Sequence, residues 1–177
     1  MHVMTARPRL GHGGPPAAAP PDVIARGEIV VAGAHGGAGV TTLAAFLQPA
    51  WDLGAPRHTG REFPPLRSGG RPVVLVARNT THAAGRATTA VNAITWVGEG
   101  IAVLAVVSDG LPEPAEARYR FRLLEARVGG IVRVPFVPLF RLVGDPADAA
   151  LPRRARAALA HIRALTGTAQ PRLTGRT

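Results

Sequence analysis

Lysine is absent from this chain of 177 residues, so all 21 basic side chains are arginine. That removes from the outset the ammonium that phosphate-transferring loops use to offset charge. Cysteine is absent too, which excludes disulfides, thiol nucleophiles, iron–sulfur clusters and the usual structural zinc sites and fits a reducing compartment. A cytoplasmic protein is expected. Long apolar runs are missing, because the longest, Ile101 to Val107, falls far short of the roughly 20 residues needed to span a bilayer. No membrane helix is expected. Aromatic residues make up 5% of the chain, too few and too scattered for a platform on which single-stranded bases stack. The six histidines show neither H-x-x-x-H nor H-x-H spacing, and no carboxylate cluster accompanies them, so a metal site is not expected from this pattern.

Acidic residues are also scarce, 11 against 21 arginines, for a formal charge of +10. Such a balance suits an anionic partner: nucleic acid, phosphate or an acidic protein surface. It equally suits a GC-rich genome, whose codon bias enriches Arg and Ala with no partner involved. With 46% apolar residues, the chain can bury one real core.

Residues 1–27 are rich in Pro, Gly and Ala and lack periodicity, which predicts a disordered tail rather than a signal peptide. A single α/β domain is expected over 28–167, followed by a flexible tail over 168–177. The strand expected at Glu28 to Ala32 runs through a glycine-rich turn into a helix from Thr41 to Leu47, which Pro49 stops. Trp51 to Arg71, crowded with Pro, Gly and Arg, reads as irregular structure. Three more apolar runs read as buried strands, at Pro72 to Ala77, Ile101 to Val107 and Ile131 to Val134. Helical spacing follows Thr80 and Thr81, with Ala83, Ala87, Ala90, Val91, Ile94 and Val97 on one face. It recurs over Glu113 to Val128, with Ala117, Phe121, Leu124 and Val128, and over Leu151 to Leu165, with Leu151, Ala155, Leu159, Ile162 and Leu165. This β-α-β-α-β-α-β-α alternation predicts an open, mostly parallel sheet with helices on both faces, a reduced P-loop NTPase-like α/β fold.

The most informative stretch is Gly33-Ala-His-Gly-Gly-Ala-Gly39-Val-Thr-Thr42. It keeps the strand–glycine turn–helix frame of a phosphate-binding loop, and puts Val40 where G-x-x-x-x-G-K-[ST] demands lysine. Gly36, Gly37 and Gly39 permit the turns that point backbone N–H groups inward. Thr41 stands where the motif's hydroxyl meets Mg²⁺, if a Mg-nucleotide binds, and Thr42 extends the first helical turn. Two readings stay open: an anion-binding cup, and a tight strand-to-helix turn with no ligand.

His35-Gly36-Gly37-Ala38-Gly39-Val40-Thr41-Thr42 resembles the KGGxGK[ST]T deviant Walker A motif of the ParA/MinD partition ATPases, with His35 and Val40 replacing the two lysines. Val73 to Ala77, Ile101 to Val107 and Val134-Pro135-Phe136 are similar to the strands and the late I-P-[FY] segment of that family. The stretch also resembles an uncharacterised actinobacterial group of lysine-less ParA-like proteins associated with plasmids and conjugative elements. The resemblance implies a non-hydrolysing accessory or regulatory protein in plasmid maintenance or conjugative transfer, with ATP or ADP and Mg²⁺ as the ligands of the loop. It also implies a protein partner or a homodimer. An active ATPase that recruits an arginine for the lost lysine is the alternative, and a basic DNA-associated module is the third.

In open α/β sheets ligands sit at the carboxyl ends of strands, which here are Ala34-His35, Arg78-Asn-Thr-Thr-His82, Ser108-Asp109 and Pro135. Arg78 or Arg86 is the candidate to supply the charge that Val40 lacks, and His35 the candidate to contact phosphate or titrate near neutrality. Ser108-Asp109 has no histidine partner in sequence, so no nucleophilic triad is read. Arg118, Arg120, Arg122 and Arg127, with Arg153, Arg154, Arg156 and Arg163, lie on expected helices. They suit weak DNA binding, or ordinary solvated helix sides with Glu116 and Glu125 as local partners.

Overall fold

Continuous apolar runs bounded by Gly, Pro and polar residues form the strands of the computed structural model, which describes residues 28–55, 63–146 and 149–167. The expected tails lie outside the described residues. Five strands, β1 (Ile29–Gly33), β2 (Ala50–Asp52), β3 (Val73–Arg78), β4 (Ile101–Val107) and β5 (Ile131–Val134), pair in parallel throughout, in the order β2-β1-β3-β4-β5. Four α-helices connect or follow them: α1 (Val40–Phe46), α2 (Thr81–Trp96), α3 (Ala115–Arg122) and α4 (Arg153–Leu165).

The strand order explains where the helices lie. From β1 the chain steps one way to β2, then reverses across β1 to β3 and continues through β4 to β5. Right-handed crossovers made in opposite directions put their helices on opposite faces. Accordingly Ile29, Val31, Val74, Val76, Val103 and Ala105 pack beneath α1 and α4. Val30, Ala32, Val73, Leu75 and Leu104 pack beneath α2 and α3. Burying one Val, Leu or Ile side chain contributes roughly 2 kcal/mol relative to exposure, against about 1 kcal/mol for a helix cap, so the two apolar layers select this fold. The cap of α2 adds to it: Thr80 Oγ1 accepts from the N–H of Ala83 at 3.2 Å. The alanines of α2 at 83, 84, 87 and 90 are all buried, and their small side chains let the helix lie close on the sheet.

One irregularity lies where the chain returns to β5. Val73 pairs with Ile101 but Val74 with Val103, so Ala102 bulges out of register. The chain returning to β5 passes close against it, and a Cβ at Gly129 would lie 2.6 Å from the Ala102 carbonyl oxygen. Glycine is needed there for space.

The α/β class and the helices on both faces agree with the sequence reading, and the described strands are all parallel. Several boundaries differ. The segment expected to be irregular from Trp51 to Arg71 begins with β2, a three-residue edge strand too short to show any periodicity. Phe63 and Leu66 from the same stretch are buried under the α2 layer, while residues 56–62 lie outside the described set. Arg71 fastens this region: its Nε donates to Glu28 Oε2 at 3.0 Å, and its guanidinium lies 4.5 Å from the centre of the Trp51 ring. The helix expected over Glu113 to Val128 spans only Ala115–Arg122, because Pro114 occupies its N-cap, and the chain then tightens into a 3₁₀ turn at Glu125–Arg127. The last helix starts at Arg153 rather than Leu151, since Pro152 forces the preceding residue out of helical geometry. Leu165, expected in the core, is partly exposed, and Ala158 is buried instead. A further 3₁₀ turn, Pro138–Arg141, was not anticipated.

Candidate functional site

A reversal of strand order opens a crevice at the carboxyl ends of the two strands it separates, here β1 and β3. The glycine-rich segment leaves β1 at this point. Gly37 and Gly39 turn with φ of 72° and 96°. Gly39 is the N-cap of α1 in the left-handed region, where any other residue would be strained. Gly36 and Gly37 are exposed, Ala38 is buried, Thr41 is exposed and Thr42 half-buried. Gly36 and Gly37 form a tight turn, and among the described residues no well-aligned acceptor within 3.5 Å meets the backbone N–H groups from His35 to Thr42, whereas their neighbours are paired: Ala34 to the Val76 carbonyl and Leu43 to the Gly39 carbonyl. The loop is therefore rich in weakly engaged donors between two satisfied ends.

Val40 does not face this cup. It is buried in the α1 layer, and a Cβ on Gly33 would come within 2.8 Å of its Cγ2. The position that a phosphate-binding loop gives to a cation here belongs to the hydrophobic core. Charge comes from the other side of the crevice. Arg78, the last residue of β3, donates from Nε to the Gly37 carbonyl at 2.9 Å, and its remaining guanidinium nitrogens have no acceptor among the described residues.

His35 completes the link between the two strands. Its Nε2 accepts the backbone N–H of Arg78 at 3.1 Å, and its Nδ1 lies 2.9 Å from the Gly36 carbonyl. An Nε2 that accepts carries no proton, so the hydrogen sits on Nδ1 and the ring is neutral. Burial lowers its pKa from 6.5 as the main cause, and the neighbouring His82, Arg78 and Arg86 lower it further, against the raising effect of the Gly36 carbonyl. His35 is thus a latch, with both ring nitrogens engaged by backbone.

Beside the loop lies a cleft of about 210 Å³, lined by Gly39, Thr42 and Arg78 on one side and by β4, β5, the Pro138–Arg141 turn and α4 on the other. Sequence reasoning reached part of its rim, Gly39, Thr42, Arg78, Ser108 and Pro135, and not its aromatic wall, because Phe46, Phe136 and Phe140 come from separate elements. Comparison with family models, with curated proteins and with solved structures finds no match for this chain.

The other candidates take structural roles. Ser108 Oγ accepts from Gly110 N–H and Asp109 Oδ1 from Leu111 N–H, while the Asn79 side chain ties Asp109 and Leu111 to β3. No group of three His, Asp or Glu gathers among the described residues, and the backbone N–H donors of the loop suit an anion. The two arginine groups lie on opposite faces of the sheet, α3 on one and α4 on the other. Arg120 pairs with Glu116, and Arg118 with Glu113. Arg127 bonds to Asn92 and Thr95, and Arg163 Nη2 donates to the Phe46 carbonyl at 2.7 Å. No helix among the described residues is long and apolar enough to cross a membrane.

Proposed function

We propose that this chain is a ParA/MinD-like P-loop relative that binds a phosphate-bearing anion at His35 to Thr42 and does not turn it over. The carrying observation is the run of backbone N–H groups that meet no well-aligned acceptor among the described residues, set at the strand-order reversal with the Arg78 guanidinium across it. Backbone amides of this kind hold phosphate without reference to side chains. Turnover is a separate matter. Phosphoryl transfer depends on positioning and on charge stabilisation, and losing one such contribution costs roughly 3 kcal/mol, by analogy with an oxyanion donor. Val40 is committed to the core and cannot supply it. The protein would act in the cytoplasm as an accessory or regulatory partner, in plasmid maintenance or conjugative transfer, through a second protein or a second copy of itself.

Arg78 favours one competing reading, an ATPase that uses arginine in place of the Walker lysine, because its guanidinium already touches the loop. Calorimetric titration with ATP and ADP, with and without Mg²⁺, separates the two. Saturable heat that Arg78→Ala diminishes, with steady-state phosphate release at background, is the expected result. Absence of heat with every ligand removes the anion site, and phosphate release that Thr41→Ala abolishes establishes the enzyme instead. The DNA-associated reading has less support, since the arginines do not gather on one face.

A further inference from the structure

In a chain with five phenylalanines, three converge on one cleft. Phe46 and Phe140 stack with ring centres 5.5 Å apart, and Phe136 stands beside them under the Arg141 guanidinium, 4.9 Å from its ring centre. All three are only half-buried, whereas Phe63 and Phe121 are enclosed in the opposite layer. Among the described residues, the charged side chains that line the cleft are those of Arg78 and Arg141, with no carboxylate between them. Neither arginine has an ion-pair partner among the described residues. An aromatic wall with uncompensated positive charge suits a ligand that is apolar at one end and anionic at the other.

Size and polarity narrow the class. A volume of about 210 Å³ is below the roughly 300 to 1,000 Å³ of pockets that enclose drug-sized molecules, so the body is small. The side-chain hydroxyls on the wall are those of Thr42 and Ser108, and Ser108 Oγ already accepts from Gly110. Little remains to read the hydrogen-bonding edge of a base. We propose that this cleft is a binding site for a small aromatic carboxylate, its ring among Phe46, Phe136 and Phe140 and its carboxylate at the free guanidinium nitrogens of Arg78. Arg78 then has two faces: Nε holds the glycine loop at Gly37, and the other nitrogens close the cleft. The site does not require phosphate binding at the loop.

The test uses the full chain labelled with ¹⁵N, titrated separately with phenylacetate, phenylacetamide, acetate and ATP while amide resonances are followed. Phenylacetate should saturate with a Kd of about 1 mM or tighter, moving resonances at Arg78 and across Phe136 to Phe140. Phenylacetamide should bind about tenfold more weakly, equivalent to one charge-assisted contact, and acetate should not saturate. Arg78→Gln should weaken phenylacetate about tenfold and leave phenylacetamide unchanged, whereas Phe140→Ala should weaken both. Equal affinity for acid and amide, no saturable shift, or indifference to Arg78→Gln would overturn the proposal. So would ATP shifts that cover the cleft and displace phenylacetate, which would make it a nucleoside site. ATP that leaves bound phenylacetate in place is the expected result, whether or not ATP binds at the loop.

Discussion

The ring of His35 joins the chain leaving β1 to β3 by accepting the Arg78 N–H. That hydrogen bond exists only for the neutral ring, and burial with Arg78, Arg86 and His82 nearby lowers the pKa below 6.5. A histidine whose folded pKa is depressed contributes stability that is fully present above the unfolded value and is lost as pH falls through the folded one. The stability difference between wild type and His35→Ala should therefore be constant above about pH 6.5 and shrink on acidification. Thermal unfolding of both proteins across that range checks it, and a difference that grows toward acid pH would contradict the latch.

At the level of elements, the return of the chain from α3 to β5 brings the backbone at Gly129 close against β4. The Gly129 N–H donates to the Ile101 carbonyl at 2.8 Å, next to the bulge at Ala102, and there is no room for a Cβ. Gly129→Ala should destabilise the fold by about 2 kcal/mol, as overpacking against backbone does. Denaturant unfolding measures this directly. Gly36→Ala is the control, because a Cβ there meets nothing within 4 Å, and it should stay within about 0.5 kcal/mol of wild type. The bulge could not be foreseen from sequence, since Ala102 sits inside an unbroken apolar run that reads as a regular strand.

For the whole molecule, burial is graded across the sheet. β1 is buried along its whole length and β3 at every residue except Arg78, whereas β2 has no buried residue and β5 has one. Amide hydrogen exchange should be slowest in β1, β3 and β4 and fastest in β2. Mass-spectrometric exchange on the full chain reads this order, and slow exchange in β2 would mean that the edge is covered by another chain. The same gradient explains how much was legible. Central strands need apolar residues at successive positions because both faces are covered, so Val73 to Ala77 and Ile101 to Val107 announced themselves. β2, with one face and one edge open, carried no such requirement.

The amino-acid order by itself determined the alternation of strands and helices, the glycine turn, and the loss of the loop cation, all of which are local properties of neighbouring residues. Tertiary structure alone decided the reversal at β1, which placed α1 and α4 on one face and α2 and α3 on the other. It also brought Arg78 onto Gly37 across 41 positions, sank Val40 into the core, and gathered three phenylalanines from separate elements into one cleft. The physical reason is separation along the chain. Periodicity reports which way a side chain faces within its own element, and says nothing of which distant element will stand opposite.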